Sequence, residues 1–357
     1  MHDQPLAPRI KRCVRSAAQA LGTADPVPYV GPLLDRTFSR RDGDLHYAHN
    51  ALTPGAVAFE PSFSAQEPRV LRFTIEPLDP EERPGARRDE ATREMRRLVG
   101  GVFGRSALHW FDAHSEAWRG LFPSPALRYG AWFGSEFDDD GLHASKVYYE
   151  LQGDDLRAAP GGLVRLAAVA QQALPSLVPA FTTLTCRRER GVQRLTFQHR
   201  GPLRVADLGP LFDAVGLGHQ LAGVMQVLGV SLGGRFELPQ GAVLLGLAGD
   251  EADPEVKIEV LLGTIPDLPA DFLQLLALSL AERPRELAGL RRWLDAFTPE
   301  QVDRPGEFSV LSVRVRRDLP ARVSLYLRPV EFDLRHDVAP FGGAGDGLSR
   351  PPVLSIA

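Results

Sequence analysis

Two rhythms of apolar and polar positions take turns along this chain. In residues 55–78, 127–152, 181–201, 241–263 and 307–329 the two types alternate, with Val, Leu, Phe, Thr and Tyr prominent. Each stretch is interrupted by Gly, Pro, Asp or an Arg-rich turn, so each predicts a two-stranded hairpin. In residues 89–122, 161–174, 206–229 and 269–297 apolar residues recur at three and four, the spacing of an amphipathic helix. Further helix is predicted before the first hairpin, over 10–21 and 29–38. The repeating unit is a helical segment followed by a hairpin, five times over, at intervals of about 55 to 70 residues.

Ten strands arranged this way allow a sandwich, an open sheet with helices on one side, or a closed barrel. Strand faces discriminate between them, because successive side chains point to opposite sides. In KVYYELQ, Lys146, Tyr148 and Glu150 share one face and Val147, Tyr149 and Leu151 the other. In KIEVLL, Lys257 and Glu259 oppose Ile258, Val260 and Leu262; in RVSLYLR, Arg322, Ser324, Tyr326 and Arg328 oppose Val323, Leu325 and Leu327. The second strand of every hairpin opens its polar face with a cation: Arg72, Lys146, Arg194, Lys257 and Arg322. Hydroxyls or phenols follow closely at Thr74, Tyr148, Thr196, Ser324 and Tyr326, while Glu259 breaks the series. A solvated sheet would scatter both signs without such register. We therefore expect an α+β fold: a closed ten-stranded antiparallel barrel of five helix–hairpin repeats, helices outside and a wet lumen inside. The competing expectation is a helix-backed open sheet whose charges simply face water.

Composition narrows the field. The 357 residues would allow two domains or one large barrel, and the hydrophobic share of 44% with 24% charged residues excludes a disordered chain. A formal net charge of −4 gives no global positive field for nucleic acid or anionic lipid. No apolar stretch reaches the roughly 18 to 20 residues that span a bilayer, and the first residues lack the continuous apolar core of a secretory signal. Cys13 and Cys186, without a CxxC or Cys/His pairing, read as buried thiols of a reducing compartment, and a cytoplasmic protein is expected. Only Lys11, Lys146 and Lys257 among the 41 basic residues are lysine, which singles out the two lysines on predicted strands.

Converging Arg, Lys and Tyr groups bind a multiply charged anion. Internal cations do not make a nucleic-acid surface, and neither GxxxxGK[ST] nor a strand-following GxGxxG is present to cradle a nucleotide. A small organic diphosphate in an aromatic-lined tunnel is the economical ligand.

These repeats resemble the aromatic prenyltransferases of the ABBA, or prenyltransferase-barrel, fold, and most closely the dimethylallyltryptophan synthase type with its bacterial indole prenyltransferases. That family carries a Glu in the first strand of hairpin one and an Arg in the second; FEPSFSAQEPRVLRFTIEP places Glu60 and Arg72 there. The family's K-x-Y in hairpin two matches Lys146 and Tyr148, and its terminal S-x-Y matches Ser324 and Tyr326. Hairpin three keeps only Arg194 of R-x-K-x-Y, with Thr196 and Gln198 following, and in hairpin four Glu259 stands where Tyr is common after Lys257. The resemblance covers residues 50–332, and the chain divides into a helical lead-in (1–50) belonging to the barrel domain, the barrel (51–334) and a mobile tail (335–357).

The resemblance implies electrophilic alkylation of an indole, as tryptophan or an indole-containing compound, by dimethylallyl diphosphate. Arg72, Lys146, Tyr148, Arg194, Lys257, Arg322 and Tyr326 are the expected diphosphate-binding residues, and Glu60 the expected catalytic base. No cofactor and no magnesium are expected, since fixed cations neutralise the leaving group. The partners are small molecules, with neither nucleic acid nor membrane, and the chain is expected as a monomer or homodimer. Two other functions remain open: prenylation of a phenolic or polyketide-derived ring, and non-catalytic binding of small phosphorylated ligands.

Other motifs carry less. The aspartates of EFDDDG (136–141) are expected at a solvated hairpin tip rather than in a magnesium motif. His109 and His114, five apart, fall on different helix faces. GLGHQLAG (216–223) is expected inside a helix, RRDEATREMRR (87–97) as a solvated helix, and Trp110, Trp118 and Trp293 in the core. One of Trp132 and Phe133 enters the lumen.

Overall fold

The computed structural model describes residues 4–119 and 127–335. Ten strands pair as five hairpins: β1 (Phe59–Ser64) with β2 (Leu71–Ile75), β3 (Ala131–Asp138) with β4 (Gly141–Glu150), and β5 (Leu177–Arg187) with β6 (Gly191–His199). β7 (Val243–Ala248) pairs with β8 (Glu255–Leu261), and β9 (Gly306–Arg316) with β10 (Leu319–Pro329). Every strand is antiparallel to its neighbours in sequence, and β10 returns to β1 through Ser62 opposite Tyr326 and Ser64 opposite Ser324, closing the barrel. The open-sheet alternative is thereby excluded. Two short strands, Leu203–Arg204 and Glu237–Leu238, pair outside it.

The outward faces are the apolar faces. Phe59, Phe73, Phe133, Val147, Leu184, Leu195, Leu247, Ile258, Val313 and Leu325 are fully buried in one core shared with the helices. Removing this surface from water drives the wrapping of helices onto the barrel. The lead-in supplies α1 (Ala7–Leu21) and α2 (Val27–Thr37), and α1 packs on the late helix α9 (Pro284–Phe297) as well as on α2.

Three predicted helical runs are subdivided. Residues 89–122 become α3 (Pro84–Leu98) and α4 (Arg105–Arg119), separated by a π-turn ending at Gly104, φ +89°. The run 206–229 is cut at Gly216, φ +71°, into α6 (Gly209–Ala214) and α7 (Leu221–Ser231), so GLGHQLAG spans the break and the first turn of α7. Between these, α5 (Gly161–Ala173) follows β4, and α8 (Phe272–Ser279) precedes α9, which begins at Pro284.

The segment RRDEATREMRR is solvated on one face only: Asp89, Arg93, Arg96 and Arg97 are exposed, with Arg93 and Arg97 pairing to Glu90 and Glu94. Lying against β3 and β4, α3 buries Arg87, Arg88, Glu90 and Glu94; Arg36 pairs with both glutamates and Thr92 meets the Tyr149 hydroxyl at 2.7 Å. Trp118 and Trp293 are buried, and Trp110 covers Gly191 on the outer wall. No helix among the described residues is long and apolar enough to cross a membrane. The tail, apart from Arg335, lies outside the described residues.

Candidate active site in the barrel lumen

Inward side chains line a cavity of about 200 Å³. Two glycines help to open it. A Cβ at Gly134 would lie 3.3 Å from the Tyr148 ring, and one at Gly246 would lie 2.8 Å from Cδ of Arg194. Of the predicted residues, Glu60, Arg72, Lys146, Tyr148, Arg194, Lys257 and Tyr326 all line this space. Arg322 does not. Its guanidinium pairs instead with Glu286, a buried carboxylate in the first turn of α9. Arg322 is absent from the lumen lining, and the Glu286 carboxylate is the partner the structure gives its guanidinium.

The end of the lumen near the hairpin turns is ionic. Glu136 on β3 gathers Lys146, Arg72 at 3.4 Å and Arg187 at 3.3 Å. Burial alone would raise its pKa, but these three cations hold it well below the carboxylate range. The same environment brings Lys146 down to about 8, burial outweighing the attraction of Glu136. Glu67, on the turn between β1 and β2, accepts from Arg72, from Arg187 at 3.0 Å and from His143 at 3.3 Å. Glu255 on β8 accepts from Arg194 and from Arg316 at 2.6 Å, with Arg314 at 3.8 Å, and is pulled down to about 2 despite its burial.

Residues Glu67, Glu136 and His143 lie close enough to share a metal ion, but Arg72, Lys146 and Arg187 occupy the same carboxylates, so ion pairing accounts for the cluster. At the neighbouring hairpin tip Asp139 and Asp140 are exposed, while Asp138 pairs with His143 and Arg188, as a solvated turn predicts.

The opposite end is aromatic. Trp132 stacks on Tyr129 at 4.0 Å and meets Phe181 edge-on at 5.7 Å, with Tyr148 5.9 Å from Phe181. Phe133 faces the outer core, which settles the orientation of that pair. A bulge in β5 between Pro179 and Phe181 accompanies the inward turn of Phe181. The Trp132 indole N–H donates to Glu76 at 3.1 Å, and Glu76 also accepts the Ala51 and Leu52 amides.

Between the two ends, Lys257 Nζ donates to Glu259 at 2.6 Å and to the Tyr326 hydroxyl at 2.7 Å. Glu60 is buried and accepts from Ser309 Oγ at 2.6 Å. Burial pushes its pKa up to about 7, against the lowering effects of Ser309 and Arg328. Glu60 therefore takes and gives a proton near neutrality, the property a general base needs.

Sequence reasoning missed Arg187, Arg314 and Arg316, the carboxylates Glu67, Glu136 and Glu255, and Phe181 and Ser309. Most stand on first strands of hairpins, outside the cation-first pattern that the second strands repeat. The alternations T-x-T-x-R over 183–187 and R-x-R over 314–316 were the available signal.

No family model matches the sequence, and no curated protein matches it. Solved structures do. The 6-dimethylallyltryptophan synthase from Micromonospora olivasterospora, in complex with DMASPP and Trp, is 19% identical with a TM-score of 0.72, covering 92% of this chain and 99% of that one. Prenyltransferase PriB in its apo form is 16% identical with a TM-score of 0.70, covering 93% and 98%. The 5-dimethylallyltryptophan synthase from Streptomyces coelicolor is 17% identical with a TM-score of 0.68, covering 92% and 99%. The fold common to this chain and these enzymes, over nearly their whole lengths, is the prenyltransferase barrel.

Proposed function

We propose that this protein is an aromatic prenyltransferase that moves a dimethylallyl group from dimethylallyl diphosphate to an indole ring of tryptophan or an indole-containing compound. The observation that carries this reading is the division of one enclosed lumen into a cationic end and an aromatic end, with the proton-exchanging Glu60 lying between them. The likeness in fold to dimethylallyltryptophan synthases supports it.

On this reading the allylic C–O bond breaks heterolytically, leaving its electron pair on diphosphate and a cation on the five-carbon fragment. Arg72, Lys146, Arg194 and Lys257 stabilise the charge developing on the leaving group. Tyr148 and Tyr326, whose hydroxyls burial keeps protonated, donate to phosphate oxygens and turn ring faces toward the allylic cation. An indole carbon supplies the pair for the new C–C bond while Glu60 accepts the indole N–H. Loss of the proton from the alkylated carbon then restores aromaticity, and Glu60 is the nearby group able to receive it. Fixed cations perform the neutralisation, so no metal or other cofactor enters the scheme.

Every lumen cation on the predicted strands already has a carboxylate or phenol nearby, which favours a second reading as a non-catalytic binder of phosphorylated ligands. One assay separates the two. Dimethylallyl and geranyl diphosphates are incubated with the protein and a panel of tryptophan, simple indoles and phenols, and products are read by mass. Gain of one prenyl unit on an indole is expected. Gain only on phenols changes the acceptor class, and diphosphate binding without product supports the binder.

A further inference from the structure

The lining of the lumen holds eight basic side chains (Arg72, Lys146, Arg187, Arg190, Arg194, Lys257, Arg314, Arg316) against five carboxylates (Glu60, Glu67, Glu136, Glu255, Glu259). The formal excess of three positive charges, counted with Glu60 ionised and Lys146 protonated, is of the size an organic diphosphate ester carries. Part of it lies where Glu255 alone serves Arg194, Arg314 and Arg316. Arg194 and Arg316 hydrogen-bond this carboxylate, while Arg314 stands 3.8 Å away.

Three donors here are buried without a hydrogen-bond partner: Arg194 Nε, Thr196 Oγ1 and Arg314 Nε. They belong to adjoining positions of the wall. In the barrel ladder Thr196 lies opposite Gly246, Gly246 opposite Lys257, and Lys257 opposite Arg314. Gly246 presents no side chain, and Arg194 lies over it. Buried donors left unpaired are costly, and a ligand rich in acceptor oxygens satisfies them.

We propose that Arg314, projecting from β9, is a ligand of the donor diphosphate and supplies charge that Thr196 and Glu259 cannot. This inference rests on the reading of the lumen as a prenyl-diphosphate site. The guanidinium binds two phosphate oxygens in fork geometry, and Lys257 holds the adjacent position from β8.

The test titrates inorganic pyrophosphate into the full chain and into Arg314→Gln and Arg314→Lys, with thermal melting to establish folding. Arg314→Gln is expected to raise the pyrophosphate Kd roughly 10- to 100-fold, as loss of a charge-assisted pair does. Arg314→Lys recovers part of this, and the donor KM rises while the acceptor KM stays, a split that general loosening of the barrel would not give. Binding by folded Arg314→Gln within about twofold of the unaltered chain overturns the inference and leaves the donor site standing. Failure of the unaltered chain to bind pyrophosphate overturns both. If Arg314→Gln does not fold, Arg314→Lys decides alone, because a point charge in place of a fork weakens binding at least about threefold, and unchanged binding refutes the role.

Discussion

Ser309 donates its hydroxyl to Glu60 at 2.6 Å across the width of β10, although β9 and β1 are not neighbours in the barrel. The ladder between β9 and β10 shifts register between Phe308 and Val310, and Ser309 is the residue squeezed out of it. A bulge of this kind re-aims one side chain, here onto the proposed base. The hydroxyl stabilises the charged carboxylate and so opposes the upward pull of burial on Glu60.

Replacement of Glu60 by Gln keeps the shape of the site and removes the proposed base. Turnover is expected to fall about 10²- to 10⁴-fold with donor binding preserved. Near-normal kcat in Glu60→Gln, measured by product mass under saturating donor, would falsify the assignment.

The same carboxyl sets a pH dependence. With a pKa near 7, Glu60 is protonated and inactive as a base at lower pH, so kcat/KM should climb as pH rises through 7. Ser309→Ala removes a contact that lowers this pKa, and the rising limb should move to higher pH. A limb that stays in place in the variant would disconnect Ser309 from the base.

Gly246 offers a change at the proposed donor site that leaves every charge in place. Its alanine Cβ would press on Cδ of Arg194, the far part of a flexible side chain, and sit 3.4 Å from Cβ of Lys257. Gly246→Ala should therefore raise the donor KM severalfold while the melting temperature changes little. An unchanged donor KM would place Arg194 outside the donor site.

Stability should fall in acid for a reason visible in the lumen. Glu67, Glu136 and Glu255 titrate below the ordinary value of 4.5 in the folded chain, so their stabilisation is complete above that value and lost as pH falls through their folded values, about 2 for Glu255. Glu255→Gln strands the guanidiniums of Arg194 and Arg316 and should cost about 3 kcal/mol near neutrality while flattening the acid limb. Melting curves between pH 7 and pH 2 measure both effects.

Chelation tests the metal-free scheme. Turnover in excess EDTA is expected to equal turnover without it, because in the proposed scheme Arg72, Lys146, Arg194 and Lys257 supply the counter-charge. Loss of activity on chelation with recovery on adding Mg²⁺ would overturn this.

Alternation at a period of two identified the hairpins, and it assigned Lys146, Tyr148, Lys257 and Tyr326 to the lumen face without reference to any structure. Side-chain direction in a strand is a local property, so it survives in the sequence. The counter-carboxylates are different. Glu136 meets Arg72 because β2 and β3 pair at that register, Glu67 arrives from a turn, and Arg314 reaches the row of Lys257 through the β8–β9 ladder. Arg322 pairs with Glu286, which stands in the first turn of α9. The sequence by itself therefore determined the repeating unit, the strand faces and the excess of basic groups on them. Tertiary structure alone decided which charge meets which, because ion pairing depends on strand register and helix placement, distances that no local pattern encodes.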